Sequence, residues 1–159
     1  KDRKALTETL SIQPEYLKNS LSESDTVIDY KDWQIPLGRR FRALKLWFVL
    51  RYYGIEGLKA HVRRGVELSQ LFQKLILNDN RFELMAPSPL NLVCFRMKGS
   101  DKINESLINQ LNMKGNMFLT HTRLNGKYTL RFCIGSPLTK RHHVENSWEE
   151  IAQTANEFV

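Results

Sequence analysis

The stretch that decides the fold is residues 117–134, MFLTHTRLNGKYTLRFCI, because it predicts a β-hairpin. Residues 117–124 and 127–134 are rich in the β-branched and aromatic side chains typical of strands. Between them lies Asn125-Gly126, a dipeptide that accepts the positive φ angles that a type I′ turn needs at both central positions. The sequence therefore predicts two antiparallel strands joined by a two-residue turn.

The second of these strands has two distinct faces. Successive side chains of a strand point to opposite sides of the sheet. One face is therefore apolar and carries Tyr128, Leu130, Phe132 and Ile134. Arg131 lies on the other face, which makes it a candidate for a role outside the hydrophobic core.

Outward from the hairpin, two more strands and several helices are predicted. The additional strands are residues 81–86 and 92–97, separated by Pro87-Ser88-Pro89. Helices are predicted where apolar residues recur every three or four positions: 41–53, ending at Gly54; 56–77; 101–113, capped by Ser100 or Asp101; and a last helix capped by Thr139. This order predicts an α+β fold, a small and mainly antiparallel sheet with helices packed on one face.

Composition places the chain among ordinary globular proteins and limits its partners. The chain has 159 residues, a net charge of +7 and two cysteines, Cys94 and Cys133. We expect both thiols to be buried and reduced, which is typical of a cytoplasmic protein. No apolar run reaches the roughly 18 residues that would span a bilayer, so no membrane association is expected. The cations are scattered, and the densest group is RRFR at 39–42. Nucleic-acid binding, which needs a concentrated basic surface, is therefore the weaker interpretation.

Residue patterns alone reveal little chemistry. The four histidines and two cysteines have no spacing typical of a metal site, so no metal is expected. No phosphate-binding loop motif is present. Leu37-Gly38 is the one suggestive pair, because glycine lets the backbone approach a ligand closely. The same glycine also suits a hinge before a helix, and the sequence leaves both alternatives open.

A long resemblance supplies the function. Residues 29–47, DYKDWQIPLGRRFRALKLW, resemble the group II pyridoxal-phosphate decarboxylases, in the branch that acts on aromatic L-amino acids. The likeness continues through LVCFR at 92–96, the plant-like Thr120-His121-Thr122, and LRF at 130–132. It implies the C-terminal third of a cytoplasmic, homodimeric fold-type I enzyme that uses pyridoxal 5′-phosphate (PLP).

The resemblance also implies a domain division. Residues 1–38 would be the end of the large domain, with the mobile catalytic loop and a substrate-pocket segment. Residues 39–77 would be linking helices, and residues 78–159 the small C-terminal α+β domain. The lysine that forms the Schiff base with the cofactor would lie upstream of Lys1, so none is expected in this chain.

Four residues acquire roles from the resemblance. Tyr16, in PEYLK at 14–18, would be the catalytic tyrosine of the mobile loop, which protonates the substrate carbon after CO₂ leaves. Leu37 and Gly38 would line the substrate pocket, where Gly38 leaves room for an indole. Arg131 would lie near the cofactor, with a structural ion pair as the alternative.

The function implied is that of a carboxy-lyase, which converts an aromatic amino acid to an aromatic amine and CO₂. We expect the chain to be inactive without the lysine-bearing segment. Two alternatives keep the same fold: a truncated, non-catalytic interaction module, and an aromatic aldehyde synthase. Relatives of the second kind tend to have phenylalanine in place of the loop tyrosine, so Tyr16 favours the decarboxylase.

Overall fold

The predicted hairpin is present in the computed structural model, which describes residues 3–10 and 42–158. Asn125 and Gly126 have φ angles of 51° and 76°, both in the left-handed region that the type I′ turn requires. The two strands beside them pair antiparallel, with Thr122 opposite Thr129. The turn chemistry alone therefore predicted this part of the sheet correctly.

The hairpin belongs to a four-stranded antiparallel sheet with the strand order β1-β2-β4-β3. The elements in chain order are α1 (Arg3–Leu10), α2 (Arg42–Leu77), β1 (Phe82–Leu84), β2 (Leu92–Met97), α3 (Asp101–Lys114), β3 (Thr120–Leu124), β4 (Lys127–Cys133), α4 (Arg141–Ala155) and a 3₁₀ turn (Asn156–Phe158). The α+β class predicted from the sequence is confirmed.

The chain divides into two compact units, Lys1–Gly54 and Ile55–Val159. Helix α2 crosses this boundary, and its backbone leaves helical geometry at Gly54, where φ is 62° and ψ is −179°. Only glycine adopts this conformation without strain, since a Cβ would clash with the neighbouring backbone. The interruption lies where the sequence predicted the first helix to end.

Aromatic rings on one face of the sheet form the centre of the second unit. Phe72 of α2 stacks on Phe132 with ring centroids 4.0 Å apart, and meets Phe95 and Trp148 edge-on at 5.4 and 5.9 Å. Val93 pairs with Phe132, and Phe95 with Leu130, which puts all four residues on the same face. Because α3 contacts β2 and β4 as well, the predicted arrangement of helices on one face is confirmed.

Of the caps predicted for the last two α-helices, one is present and the other is not. Ser100 caps α3 as predicted, and its Oγ accepts a hydrogen bond of 3.3 Å from the N–H of Ile103. The predicted cap of α4, Thr139, is wrong by one position, because Lys140 is the N-cap residue. The imidazole Nδ1 of His143 accepts a 3.0 Å hydrogen bond from the N–H of Lys140. The side chain of His143 thus accepts from the N–H of the N-cap residue, whereas the expected threonine hydroxyl would have accepted from an N–H of the first turn.

The expectation of two buried thiols is also wrong. Both cysteines are free; Cys94 is half-buried and Cys133 is exposed. Their strand positions explain this, since Cys94 pairs with Arg131 and Cys133 with Leu92 on the face turned away from the helices. Both sit in apolar runs, but the alternation of the strands places them outside the core.

An ion pair links the turn after α2 to the end of α4. Arg81 Nη2 lies 2.7 Å from Asp79 Oδ2, and Arg81 also donates to Asn156 Oδ1 at 2.6 Å and to the Ala152 carbonyl at 3.2 Å. The hydrogen bond from the Arg81 side chain is the main reason that the pKa of Asp79 lies below its ordinary value. The carboxylate form of Asp79 therefore stabilises the folded state.

This pair predicts a pH-dependent stability. A lowered pKa in the folded state contributes stability that is complete above the ordinary pKa of 3.8 and is lost as the pH falls through the folded-state value. Asp79→Asn should lower the free energy of unfolding by about 1 kcal/mol at neutral pH, and this difference should shrink below about pH 4. Urea denaturation at several pH values measures it.

The matched control is Glu145→Gln, which removes the exposed ion pair between Arg141 and Glu145 on α4. Its effect should stay within about 0.5 kcal/mol, because exposed pairs contribute little. A penalty for Asp79→Asn that stayed constant from pH 7 to about pH 2 would contradict the assignment.

Candidate functional site

The structure describes the surroundings of only one of the four predicted site residues. Tyr16, Leu37 and Gly38 lie outside the described residues. Arg131 lies in the middle of β4 and is half-buried. The geometry of the candidate site is therefore the sheet surface around Arg131.

Arg131 lies between two neighbouring strands on the sheet face turned away from the helices. It pairs with Cys94 of β2 on one side and with Thr120 of β3 on the other. Thr129, two residues earlier on β4, shares this face and is fully buried. This surface thus carries a guanidinium with a thiol and two hydroxyl-bearing residues beside it in the strand register, on the sheet face opposite Phe132 and the Phe72 ring of α2.

The electrostatics of this surface make Cys94 an unreactive thiol. Burial raises the pKa of the Cys94 thiol, and the nearby positive charge of Arg131 offsets only part of that increase. A protonated thiol is a poor nucleophile, so the arrangement does not support cysteine catalysis. What it offers chemically is a fixed positive charge that favours an anionic group.

A second polar cluster was not foreseen from the sequence. The buried Arg96 lies 3.3 Å from Asp101 Oδ1 and 3.7 Å from Glu83 Oε1, and it donates to the Gly99 carbonyl at 2.7 Å. Asp101 accepts further hydrogen bonds from the N–H of Tyr128 and from Arg123, each at 3.0 Å. Chiefly because of the Tyr128 N–H, the pKa of Asp101 lies below its ordinary value.

This cluster has a structural role, because it joins the start of α3 to the hairpin. Asn104 strengthens the same junction from inside the core. Its side chain accepts from the Met97 N–H at 2.8 Å and donates to the Met97 carbonyl at 2.9 Å. The sequence identified Asp101 as a candidate cap, but its partners Arg123 on β3 and Tyr128 on β4 lie 22 and 27 residues away and left no local pattern.

The described residues do not by themselves form a complete PLP site. A lysine that forms a Schiff base needs a desolvated environment to lower its pKa. Every lysine whose side chain the structure describes is exposed to solvent. Arg131 is compatible with an anionic cofactor group, but a single arginine does not hold a cofactor. The PLP site that the resemblance implies would therefore need residues beyond those described.

Searches for two other kinds of feature gave negative results over residues 3–10 and 42–158. No group of three or more histidine, cysteine, aspartate or glutamate side chains in this part of the chain is placed to hold a metal ion. Among the helices described there, none is both long enough and apolar enough to cross a membrane.

Comparison with solved structures supports the fold. The crystal structure of Oryza sativa TDC with PLP and tryptamine superposes on 99% of this chain with a TM-score of 0.71 and 41% sequence identity. The matched part is 34% of that protein's chain. The small sheet with its helices is therefore an arrangement found within a larger PLP-binding protein.

Sequence comparison identifies the family. Tyrosine decarboxylase 2 of Narcissus pseudonarcissus is 47% identical over 98% of this chain, and phenylacetaldehyde synthase of Arabidopsis thaliana is 46% identical over 98%. The chain spans only about a third of the length of these relatives, 32% and 33% respectively. Residues 1–98 match the model of the pyridoxal-dependent decarboxylase conserved domain. The chain therefore belongs to the pyridoxal-dependent decarboxylase family.

Proposed function

We propose that this chain is one part of a PLP-dependent aromatic L-amino acid decarboxylase, which converts an aromatic amino acid to its amine and CO₂. The observation that carries the proposal is the 47% identity to a tyrosine decarboxylase along nearly the whole chain. The match covers only 32% of that relative, so the cofactor lysine is assigned to the remaining two thirds. On its own the chain is inactive.

In this proposal Tyr16 is the catalytic residue of the chain. Its phenol has an ordinary pKa of about 10 and stays protonated at neutral pH. It donates that proton to the substrate carbon that has just lost CO₂, which leaves the amine as product. The loop that carries Tyr16 also excludes water, which would otherwise compete with the phenol as a proton source.

Two further residues would define which side chain fits the substrate pocket. Leu37 contributes an apolar wall, and Gly38 lacks a side chain, which leaves space for a bicyclic indole as well as a single ring. The complete enzyme would be a cytoplasmic homodimer in which this pocket segment reaches the partner subunit. These assignments predict that tryptophan is accepted along with tyrosine and DOPA.

Arg131 is proposed as a residue of the cofactor region. This assignment is supported by the half-buried position of Arg131 and by its place on the sheet face opposite Phe132. A fixed guanidinium there would attract the negative charge of the cofactor or of the substrate carboxylate. The alternative, a structural role within the sheet, would leave the affinity for PLP unchanged when Arg131 is replaced.

An aldehyde synthase is the second candidate function, because the phenylacetaldehyde synthase of Arabidopsis thaliana is nearly as similar to this chain. Such an enzyme consumes O₂ and water and releases aldehyde, CO₂, ammonia and hydrogen peroxide. Tyr16 favours the decarboxylase, since a proton donor at this position leads to the amine.

The proposal is tested by measuring CO₂ release from tryptophan, DOPA and tyrosine with added PLP. The 159-residue chain is assayed alone and together with a separately expressed polypeptide, the part of Narcissus pseudonarcissus tyrosine decarboxylase 2 outside the match. We expect CO₂ and amine only from the mixture, with tryptophan among the substrates.

The intact Narcissus enzyme is the positive control for the assay. If neither sample released CO₂ while both polypeptides were folded by circular dichroism, the non-catalytic interaction module would replace the decarboxylase. Peroxide and aldehyde in place of the amine would favour the synthase.

A further inference from the structure

The turn between β3 and β4 brings together two groups that can react with each other. Asn125 is the only asparagine of the chain that a glycine follows, and both residues of the turn are exposed. Leu124 pairs with Lys127, so Asn125 and Gly126 lie between the paired strands and not within them. In the part of the chain that the structure describes, neither the Gly126 N–H nor the Asn125 side-chain amide has a hydrogen-bond partner.

The turn type lets these two groups meet without breaking the sheet. Rotation of the peptide between Asn125 and Gly126 converts a type I′ turn into type II′ and moves the ψ angle of the first residue from about +30° to about −120°. At the second value the Gly126 nitrogen lies on the same side as the Asn125 Cβ, because the substituents of Cα are arranged tetrahedrally. The φ angle of Gly126 changes sign in this rotation, which glycine tolerates. The pairing of Leu124 with Lys127 is kept.

The reaction that this geometry allows is an intramolecular substitution. The Gly126 nitrogen attacks the Asn125 Cγ and forms a new C–N bond, while the bond from Cγ to the side-chain nitrogen breaks. The proton of the Gly126 N–H leaves with that nitrogen as ammonia, and a five-membered succinimide ring remains. Water then opens the ring. Opening at the Cγ–N bond gives aspartate, and opening at the backbone C–N bond gives isoaspartate, in which the chain runs through Cγ.

We propose that Asn125-Gly126 is a deamidation site and that its isoaspartyl product releases the edge strand β3. Isoaspartate adds one methylene group to the backbone of a turn whose two residues set the strand register. With this extra atom the turn no longer holds Leu124 opposite Lys127. Because β3 is the last strand of the order β1-β2-β4-β3, β4 is its single neighbour in the sheet.

Two contacts of β3 connect this turn to the rest of the protein. Arg123 Nη1 donates to the Gly126 carbonyl at 3.1 Å and to Asp101 Oδ2 at 3.0 Å, so it ties the turn to the start of α3. At the other end of the strand, Thr120 pairs with Arg131. Release of β3 therefore removes one side of the candidate site surface around Arg131.

Asn146 provides an internal control for the chemistry. It is also exposed, and the small residue Ser147 follows it, but both lie within helix α4. A helical N–H is donated to the carbonyl four residues earlier, and helical ψ angles stay near about −42°. The Ser147 nitrogen is therefore held away from the Asn146 side chain.

The test is incubation of the 159-residue chain in mildly alkaline buffer, followed by digestion and mass spectrometry. We expect the peptide that contains Asn125 to gain about 1 Da as ammonia is released. Isoaspartate in that peptide is detected by methyl transfer from S-adenosylmethionine with an isoaspartyl carboxyl methyltransferase. Asn125 should react at least about tenfold faster than Asn146, because the Ser147 N–H must first leave its hydrogen bond.

Asn125→Gly is the matched variant, since it removes the side-chain amide and Gly-Gly also adopts the type I′ turn. It should show neither the mass gain nor methyl transfer at this position. Equal rates at Asn125 and Asn146 would overturn the proposed site. So would methyl transfer to the turn peptide of Asn125→Gly.

Hydrogen exchange of the incubated chain tests the release of β3. We expect the amides of Thr120–Leu124 to exchange at least about tenfold faster in isoaspartyl molecules, because their bonds to β4 open. The amides of β2, which lies on the other side of β4, should keep their protection. Asn125→Gly incubated in the same way reports any change that arises elsewhere. Isoaspartyl molecules with full protection of β3 would overturn the proposed release of the strand.

Discussion

Amine formation is expected to fall about 100-fold or more when Tyr16→Phe is introduced into a decarboxylase assembled from this chain and its cofactor-bearing remainder. Phenylalanine preserves the ring but cannot donate a proton to the carbon that loses CO₂. With protonation slowed, the electron-rich carbon reacts with O₂ instead. The aldehyde, ammonia and hydrogen peroxide should therefore increase as the amine decreases.

The measurement is the ratio of amine to aldehyde by chromatography, together with O₂ consumption. Tyr128→Phe is the control, because Tyr128 is a buried tyrosine of β4 whose ring stacks on His121 and whose replacement keeps that ring. It should retain the product ratio of the unaltered protein. If Tyr16→Phe also retained that ratio, the role of proton donor would have to be assigned to another group.

The largest effect on stability is expected from Phe72→Ala. Phe72 has no exposed surface, and its ring contacts Phe95, Phe132 and Trp148, so three elements meet on this side chain. Removing it leaves a cavity that the surrounding rings fill only in part. The free energy of unfolding should fall by about 3–5 kcal/mol, which is a large share of the stability of a small domain.

Urea denaturation followed by circular dichroism measures this loss. Phe118→Ala provides the matched control, since Phe118 is mostly exposed and its replacement should cost less than about 0.5 kcal/mol. Phe72→Leu should fall between the two variants, because it keeps part of the apolar volume. A loss below about 1 kcal/mol for Phe72→Ala would mean that this aromatic cluster is not the centre of the core.

Prediction and structure agree at three places where the fold depends on near neighbours in the chain. Asn125-Gly126 predicted the turn because the φ preferences of two residues determine its type. Ser100 predicted the start of α3 because a hydroxyl needs to reach a backbone N–H only three residues away. The interruption of α2 at Gly54 was predicted for the same local reason.

The family assignment also came from the sequence, though by resemblance. Residues 29–47 and the shorter matches after them resemble aromatic amino acid decarboxylases, and the comparisons bear this out. Tyr16, Leu37 and Gly38 remain predictions of that resemblance. Without it, the same residues indicate only a polar loop and a glycine before a helix.

The sequence by itself thus determined the strands, the helices from residue 42 onward, the turn and the family, because each is encoded in neighbouring residues or in a long specific match. It did not predict α1, which spans Arg3–Leu10. Only the tertiary structure decided which distant side chains meet. It placed Cys133 in solvent, and it brought Asp101 into hydrogen-bonding distance of Arg123 and of the Tyr128 N–H, which lie 22 and 27 residues away along the chain. These outcomes depend on strand register and on the packing of helices against the sheet, which bring together residues that no local pattern connects.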